Sequence, residues 1–254
     1  QVVANGGSPG VNFTTGAPHQ HYDQRGMWAI ENLFGLIHDH PEVYQSDRSA
    51  ARVALIYDHA SALADLDSRR QTYMAEVHGI EEALNRMHIP YDIIRSDRHQ
   101  DIDTGRHQAC IIPGATNLSR EDADYYLGLD DAGIGCVWTG APGSRDANDD
   151  PVDTAWWEQI GLEAQGDWRQ ALALDEAAPP QAYMILTDPE HPLVDGIEAP
   201  VLALADLYLP ARALEGTEFP LVRLDTFRLF PEGQSYPDDP TPREPLAIVK
   251  GRQV

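Results

Sequence analysis

Four short segments rich in apolar residues, between residues 53 and 139, constrain the fold of this chain more than any other sequence feature. Residues 53–57 (Val-Ala-Leu-Ile-Tyr) are an uninterrupted apolar run, and related segments lie at residues 90–94, 109–113 and 134–139. Strands buried on both faces of a parallel sheet have this pattern, because neither face meets water. The segments therefore predict four strands of one parallel sheet.

Helical patterns lie between these segments. A helix over residues 69–88 would carry on one face the apolar side chains Tyr73, Val77, Ile80, Leu84 and Met87. Ser119 is predicted to be the N-cap of a second helix that ends near Leu129, with Asp122 at the capping-box position. Parallel strands need crossover connections, so this alternation predicts an α/β fold with a doubly wound sheet.

The flanking regions have weaker patterns. Residues 1–24 read as a loop after a short strand at residues 2–4, and apolar residues at helical spacing predict a helix over residues 24–39. Downstream we predict a short helix at residues 154–161, strands at residues 181–187, 201–209 and 220–224, and irregular chain over residues 231–245. The abrupt start and the turn at residues 251–254 suggest a fragment of a longer polypeptide.

The charge balance limits the partners of the chain. It has 41 acidic and 18 basic residues, a formal net charge of −23, and a single lysine, Lys250. Nucleic acid and anionic lipid are poor partners for such a surface, because both bind through clustered Lys and Arg. No apolar run is long enough for a membrane helix. The composition favours a salt-adapted source, the alternative being an acidic protein without that adaptation.

Buried thiols are the favoured interpretation of the two cysteines. Cys110 and Cys136 both lie in apolar runs, which argues against a disulfide or a metal pair. Free thiols point to a reducing compartment, so we expect a cytoplasmic protein.

A search for catalytic patterns predicts no catalytic residue. In related α/β folds a nucleophile stands on a sharp strand-to-helix turn. After the fourth predicted strand this place is taken by Ala141, which has no nucleophilic atom, and Pro142 lacks an N–H donor. The turn at residues 114–117 could bind an anion but fits a plain strand-to-helix connection better.

Other candidate sites are interpreted as structural. His19 and His21, with Asp23 nearby, form an alternating pair that has no third metal ligand at a firm spacing. The acidic loop around Asp146 lacks the pattern of a calcium-binding loop. We therefore predict no metal and no cofactor. Trp156 and Trp157 could stack on a sugar ring but are expected in the core. His191 is expected to be structural.

Scattered motifs give the chain a resemblance to β-galactosidase-like glycoside hydrolases, at the junction of the catalytic barrel and the trimerisation domain. The motifs are Asp23-Gln-Arg25, Ala51-Arg-Val-Ala-Leu-Ile-Tyr57, His88-Ile-Pro-Tyr-Asp92, Ile111-Ile-Pro-Gly114, Leu118-Ser-Arg-Glu121 and Lys250-Gly-Arg252. The resemblance implies that residues 1–48 are the last strand and helix of a (β/α)8 barrel. It implies a flavodoxin-like, class I glutamine-amidotransferase-like domain over residues 49–254.

The same resemblance implies a role. The second domain would be a non-catalytic oligomerisation domain, with a homo-oligomer such as a trimer as the assembly and carbohydrate as the substrate of the parent enzyme. Active sites of barrels lie at the carboxyl ends of the strands, so the loop at residues 5–23 would border the sugar pocket. The implied substrate-binding residues are Asn12, His19, His21, Asp23 and Arg25.

A second resemblance leaves an alternative open. Residues 191–196 (His-Pro-Leu-Val-Asp-Gly) are similar to a turn of trehalose-utilisation-type proteins, which share the amidotransferase-like fold. The chain would then be a stand-alone small-molecule enzyme or sugar-binding protein that uses His191 or His59. This resemblance does not account for residues 1–48.

Overall fold

The computed structural model divides the chain into two compact units, Gln1–Ala50 and Ala51–Val254. It describes residues 24–44, 49–68, 72–165, 169–170, 182–199, 201–204, 207–224, 228–230, 233–235 and 242–254. No helix in these ranges is long and apolar enough to cross a membrane.

The first unit contains two helices. Helix α1 (Arg25–Asp39) confirms the helix predicted over residues 24–39. Pro41 does not simply follow this helix but begins the short helix α2 (Pro41–Tyr44), because proline fits the first helical position, where no N–H donor is needed. The strand predicted at residues 2–4 lies outside the described residues. The assignment of this region to a barrel stays a prediction.

A four-stranded parallel sheet is the centre of the second unit, as predicted. Its strands are β1 (Val53–Tyr57), β2 (Tyr91–Arg95), β3 (Ala109–Ile112) and β4 (Gly135–Trp138). Their spatial order is β2-β1-β3-β4, which is a flavodoxin-like order. Leu55 of β1 lies opposite Ile93 on one side and Ile111 on the other. Gln253 adds a parallel bridge to Cys136 at the β4 edge.

The predicted helix over residues 69–88 is wrong in its extent. The structure has two helices here, α3 (His59–Ser68) and α4 (Thr72–Arg86). The Asp65 carboxylate accepts hydrogen bonds from the backbone N–H groups of Thr72 and Tyr73, at 2.9 and 3.1 Å, and so caps the start of α4. Met87 follows the end of α4 and is exposed rather than part of the apolar face.

Helix α5 (Arg120–Gly128) begins where the sequence predicts. Ser119 Oγ accepts a hydrogen bond from the Asp122 N–H at 3.1 Å, which confirms Ser119 as the N-cap. A 3-10 turn, Leu129–Ala132, follows the helix and ends at Gly133. The left-handed conformation of Gly133 (φ 80°) is the usual conformation of a helix-terminating glycine.

Short antiparallel strands make up the rest of the second unit. They are β5 (Leu162–Ala164), β6 (Arg169–Gln170), β7 (Ala182–Leu186), β8 (Val201–Leu204), β9 (Leu207–Tyr208), β10 (Ala211–Ala213), β11 (Glu218–Leu224), β12 (Arg228–Phe230), β13 (Gly233–Ser235) and β14 (Pro242–Val249). Four of them form a sheet in the order β14-β11-β7-β8. The prediction of irregular chain as far as residue 245 is wrong, because β14 begins at Pro242. A strand at the edge of a sheet tolerates proline, since one row of its N–H groups has no partner strand.

The core lies around the parallel sheet. Cys110 and Cys136 are fully buried and free, as predicted. Trp156 and Trp157 are also buried, which confirms that they belong to the core. They lie on a 3-10 turn, Ala155–Ile160, where the sequence predicts a short helix.

Candidate functional site

The carboxyl ends of β1 and β3 define the candidate site. The connection from β1 leads to β2 on one side, whereas β3 and β4 lie on the other, so the strand order reverses between β1 and β3. In open α/β sheets ligands bind in the crevice outside such a reversal. Here Asp58 follows β1 and Gly114 lies two residues after β3. We refer to the residues around these two positions as the crevice.

A hydrogen-bond network centred on Asp58 forms one wall of the crevice. The Asp58 carboxylate accepts from Ser96 Oγ at 2.6 Å and from the Ser61 N–H at 2.8 Å, and it is buried. The Asp58 N–H donates to the Tyr73 hydroxyl at 2.6 Å. The Asn117 N–H donates to Ser61 Oγ at 2.9 Å, which ties the β1 turn to the β3 turn. Every donor to Asp58 in this network is neutral.

Glu76 of α4 lies above the turns that follow β3 and β4. An ideal Cβ on Gly114 would lie 2.1 Å from Glu76 Oε2, so the carboxylate occupies the space in front of this glycine. An ideal Cβ on Gly140 would lie 3.0 Å from the Gly114 Cα and 3.7 Å from Glu76 Oε2. The Thr139 hydroxyl donates to Glu76 and accepts from the Gly114 N–H at 3.1 Å. Both glycines have positive φ angles, 26° and 66°.

Burial changes the acidity of the two α4 side chains that face the crevice. Desolvation raises the pKa of the Glu76 carboxyl above its ordinary value of 4.5, and the Thr139 hydrogen bond opposes part of this rise. Desolvation also raises the pKa of Tyr73, with a further contribution from the negative charges of Asp58 and Glu76. Glu76 is therefore a half-buried acid whose burial favours the protonated form over the carboxylate.

The nucleophile position that the sequence suggested, in the turn after β4, holds the buried Ala141. This turn lies beside the turn after β3, since an ideal Cβ on Gly140 would be 3.0 Å from the Gly114 Cα. The turn after β3 carries Gly114 and Ala115, which have no nucleophilic atom either. The N–H groups of Thr116 and Asn117 donate to Gly114 O and Ser61 Oγ, which fits the plain connection expected there rather than an anion site.

The predicted substrate-binding residues remain untested. Asn12, His19, His21 and Asp23 lie outside the described residues. Arg25 is the first residue of α1 and is exposed. A sugar pocket bordered by these side chains therefore stays a prediction.

The other candidates have structural roles. His191 Nδ1 accepts from the Leu193 N–H at 3.1 Å, and its Nε2 lies 3.0 Å from Glu218 Oε2, which confirms the structural interpretation. Asp146 Oδ1 accepts from the N–H groups of Asn148 and Asp150, and these bonds lower its pKa. Among the described residues no group of three His, Cys, Asp or Glu side chains could hold a metal ion.

Sequence reasoning missed Glu76 and Thr139. One signal was available for Glu76: it lies three residues after Tyr73 and next to Val77, on the face of α4 that is otherwise apolar. A carboxyl group on the buried face of a helix is costly unless it has a partner or a role. Nothing in the sequence pattern shows that Thr139 lies next to Glu76, because that contact depends on how α4 crosses the sheet.

Comparisons with known proteins agree with this fold. Neither a family model nor a curated protein matches the chain. The solved structure of Gan42B, a GH42 β-galactosidase from G. stearothermophilus, matches with 16% identity and a TM-score of 0.63, over 91% of this chain and 30% of its own. The cold-adapted β-galactosidase from Rahnella sp. R3 matches with 20% identity and a TM-score of 0.65, over 85% and 32%. An α-L-fucosidase from Paenibacillus thiaminolyticus matches with 13% identity and a TM-score of 0.54, over 93% and 33%.

The comparisons define a class of fold. The chain has the fold of one part of GH42 β-galactosidases and spans about a third of the length of the enzymes named above. At identities this low the likeness concerns the fold alone.

Proposed function

We propose that this chain is a non-catalytic oligomerisation domain of a glycoside hydrolase that acts on carbohydrate. Residues 49–254 form the oligomerisation domain in this proposal. Residues 1–48 are the end of the catalytic barrel, with Asn12, His19, His21, Asp23 and Arg25 beside the sugar. The likeness to about a third of a β-galactosidase chain supports the assignment. The acidic composition supports a salt-adapted setting, and the free thiols of Cys110 and Cys136 support a cytoplasmic one.

The lack of a nucleophile in the turns after β3 and β4 is the observation that carries the non-catalytic role. Gly114 and Ala115 follow β3, Gly140 and Ala141 follow β4, and none of these residues has a nucleophilic atom. Glu76 itself lacks the second carboxyl that glycoside hydrolysis requires. Asp58 does not serve as that second group, because it is buried and bound to Ser96 and Ser61.

The alternative is a stand-alone amidotransferase-like or trehalose-utilisation-like small-molecule enzyme or sugar-binding protein. One observation favours it: Glu76 is an acid of raised pKa at the reversal of strand order, where such proteins bind ligands. His191, which this alternative would use, is instead engaged as a turn cap. An activity of the chain that Glu76→Gln abolishes and Glu82→Gln preserves would favour this alternative.

Sedimentation equilibrium of the full chain tests the oligomerisation role. We expect a mass that rises with protein concentration toward a multiple of 28.1 kDa, three-fold for a trimer. Molar KCl in the buffer screens repulsion between the acidic protomers. A mass that stays at one chain across the whole concentration range, in high salt, would refute the role.

A further inference from the structure

Exposed apolar side chains lie at one end of the antiparallel sheet β14-β11-β7-β8. At this end β7 finishes and both of its neighbours begin: Val201 of β8 lies opposite Ile185 of β7. The Thr187 hydroxyl, just after β7, donates to Phe219 O of β11 at 2.6 Å. The segment that connects β7 to β8 adds two more apolar residues. We call the four exposed residues, each between 37% and 47% exposed, the sheet-end patch: Leu193, Ile197, Val201 and Phe219.

The connecting segment is anchored to the sheet rather than free. His191 Nε2 lies 3.0 Å from Glu218 Oε2 at the start of β11, and His191 Nδ1 accepts from the Leu193 N–H at 3.1 Å. Val194, the next residue, is fully buried. The 3-10 turn Pro192–Val194 therefore presents Leu193 to solvent from a fixed position.

The rim of the sheet-end patch is more acidic than the chain as a whole. Residues 187–199 and 215–219 contain no Lys or Arg, whereas the whole chain has 18 basic residues against 41 acidic ones. Lys250 follows the β14 partner of Glu218 but donates to Glu158 O instead. The acidic residues of the rim are all exposed: Asp188, Glu190, Asp195, Glu198, Glu215 and Glu218. An apolar patch with a polar rim is typical of a site for another protein.

The charge of the rim selects the kind of partner. A second copy of this chain would bring the same acidic rim against the first, and like charges across an interface oppose association. A partner that carries Lys and Arg around its apolar side chains would pair with the rim while its apolar groups cover the patch.

We propose that the sheet-end patch binds a basic amphipathic segment of another protein, with Leu193, Ile197, Val201 and Phe219 covered by its apolar side chains. The acidic rim pairs with the Lys and Arg residues of that segment. This site is separate from the proposed oligomerisation role and does not depend on it.

Fluorescence anisotropy of labelled peptides, titrated with the full chain, tests the proposal. The probe is a peptide of about four helical turns with leucines on one face and lysines elsewhere. A second peptide has serine at every leucine position and the same charge. At about 0.15 M KCl we expect saturable binding of the leucine–lysine peptide and at least about tenfold weaker binding of the serine–lysine peptide, because only the first can bury apolar surface. Equal binding of the two peptides would overturn the proposal, since general attraction to an acidic chain would explain it.

Two double variants locate the site without changing any charge. Leu193→Ser with Val201→Ser removes apolar surface from the sheet-end patch and should weaken binding of the leucine–lysine peptide about tenfold or more. Leu63→Ser with Val152→Ser removes the same kinds of side chain from positions that are 50% and 41% exposed elsewhere in the second unit, and should leave binding unchanged. Circular dichroism shows whether each variant is folded. Equal weakening by the two double variants would overturn the proposal.

The rim is tested by a pair of variants that keep the apolar patch intact. Glu190→Gln with Glu198→Gln should weaken binding about threefold or more, since two exposed ion pairs are lost. Glu82→Gln with Glu121→Gln removes the same charge from helices α4 and α5 and should have a smaller effect. Equal effects of these two pairs would overturn the proposal. A lower oligomer mass of the Leu193→Ser, Val201→Ser variant in sedimentation would also overturn it, because the patch would then be a contact between copies of this chain.

Discussion

At the residue scale, the position of the Glu76 carboxylate and the conformation of the turn at Gly114 depend on each other. The carboxylate fits because Gly114 has no Cβ, and the turn fits because glycine accepts a φ of 26°. Sequence reasoning recognised the missing nucleophile at Ala141, in the neighbouring turn after β4. Nothing local to either turn indicates that Glu76 lies against Gly114.

Gly114→Ala should destabilise the second unit. The added methyl group would overlap Glu76 Oε2 and force a β-carbon into a strained backbone conformation, at a cost of about 1–3 kcal/mol. Urea unfolding measures the change. Gly79→Ala is the matched control: Gly79 is exposed within α4 with nothing near its Cβ position, so alanine should stabilise by about 0.5–1 kcal/mol. Equal effects of the two substitutions would contradict this account of Gly114.

Glu76→Gln should change how stability depends on pH. Burial raises the pKa of Glu76 in the folded state, so the proton that it holds stabilises the fold below the unfolded value near 4.5. This contribution is lost as the pH rises through the folded pKa, because the carboxylate must then ionise in a desolvated place. Relative to Glu76→Gln, the wild-type chain should therefore lose stability as the pH rises above the ordinary carboxyl value of 4.5.

Urea unfolding of both proteins across this pH range provides the measurement. Thr139 and Tyr73 are the groups shown to interact with Glu76, and both are unchanged in the variant. A constant difference between wild type and variant at every pH would contradict the assignment of a raised pKa to Glu76.

At the scale of elements, the start of α4 depends on one buried carboxylate. Asp65 of α3 accepts from the N–H groups of Thr72, Tyr73 and Met74 and from the Thr72 hydroxyl. This cap fixes the end of α4 that carries Tyr73 and Glu76 toward the crevice. It comes from another helix, which explains why α4 has no sequence signal at its own N-terminus.

Asp65→Ala should cost about 2 kcal/mol of unfolding free energy, because several N–H donors lose their partner in a buried place. Ser119→Ala, at the exposed N-cap of α5, is the comparison and should cost about 1 kcal/mol. Urea unfolding ranks the two variants. A larger loss from Ser119→Ala than from Asp65→Ala would show that the cap of α4 is not set by Asp65.

The parallel strands and α5 could be predicted, whereas α3 and the full length of β14 could not. The four strands are rich in apolar residues, although only β1 has consecutive buried residues and Ile93 of β2 is exposed. Ser119 with Asp122 marks the start of α5. Helix α3 combines alanines with Asp65, which is buried, and with Leu63 and Leu66, which are exposed, so its apolar period is weak. The prolines of β14 indicate irregular chain locally, but these residues form a strand because they pair with β11.

At the scale of the whole molecule, the acidic composition should make stability depend on salt. A net charge of −23 creates self-repulsion in the compact state, and salt screens it. The melting temperature should rise steeply as KCl increases from about 0.01 M to 0.5 M and level off near 1 M, since the Debye length falls from about 30 Å to 3 Å over the whole range. Differential scanning calorimetry measures it. A melting temperature that is independent of KCl in this range would contradict the account of the surface.

The candidate site also depends on long-range contacts that the sequence pattern does not determine. The kinds of element and the α/β class follow from periodicity. The lateral order β2-β1-β3-β4, and with it the contact between Glu76 and Thr139, depends on contacts between elements far apart in the chain. Glu76 and Thr139 are 63 positions apart, and neither belongs to a motif.

Hydrolysis of aryl glycosides by the purified full chain is the most direct test of the central claim. We expect no release of the aryl group above the buffer rate, because Ala115 and Ala141 in the turns after β3 and β4 have no nucleophilic atom and the buried Asp58 is bound to Ser96 and Ser61. Release of the aryl group by the wild-type chain, lost in Glu76→Gln and retained in Glu82→Gln, would contradict it.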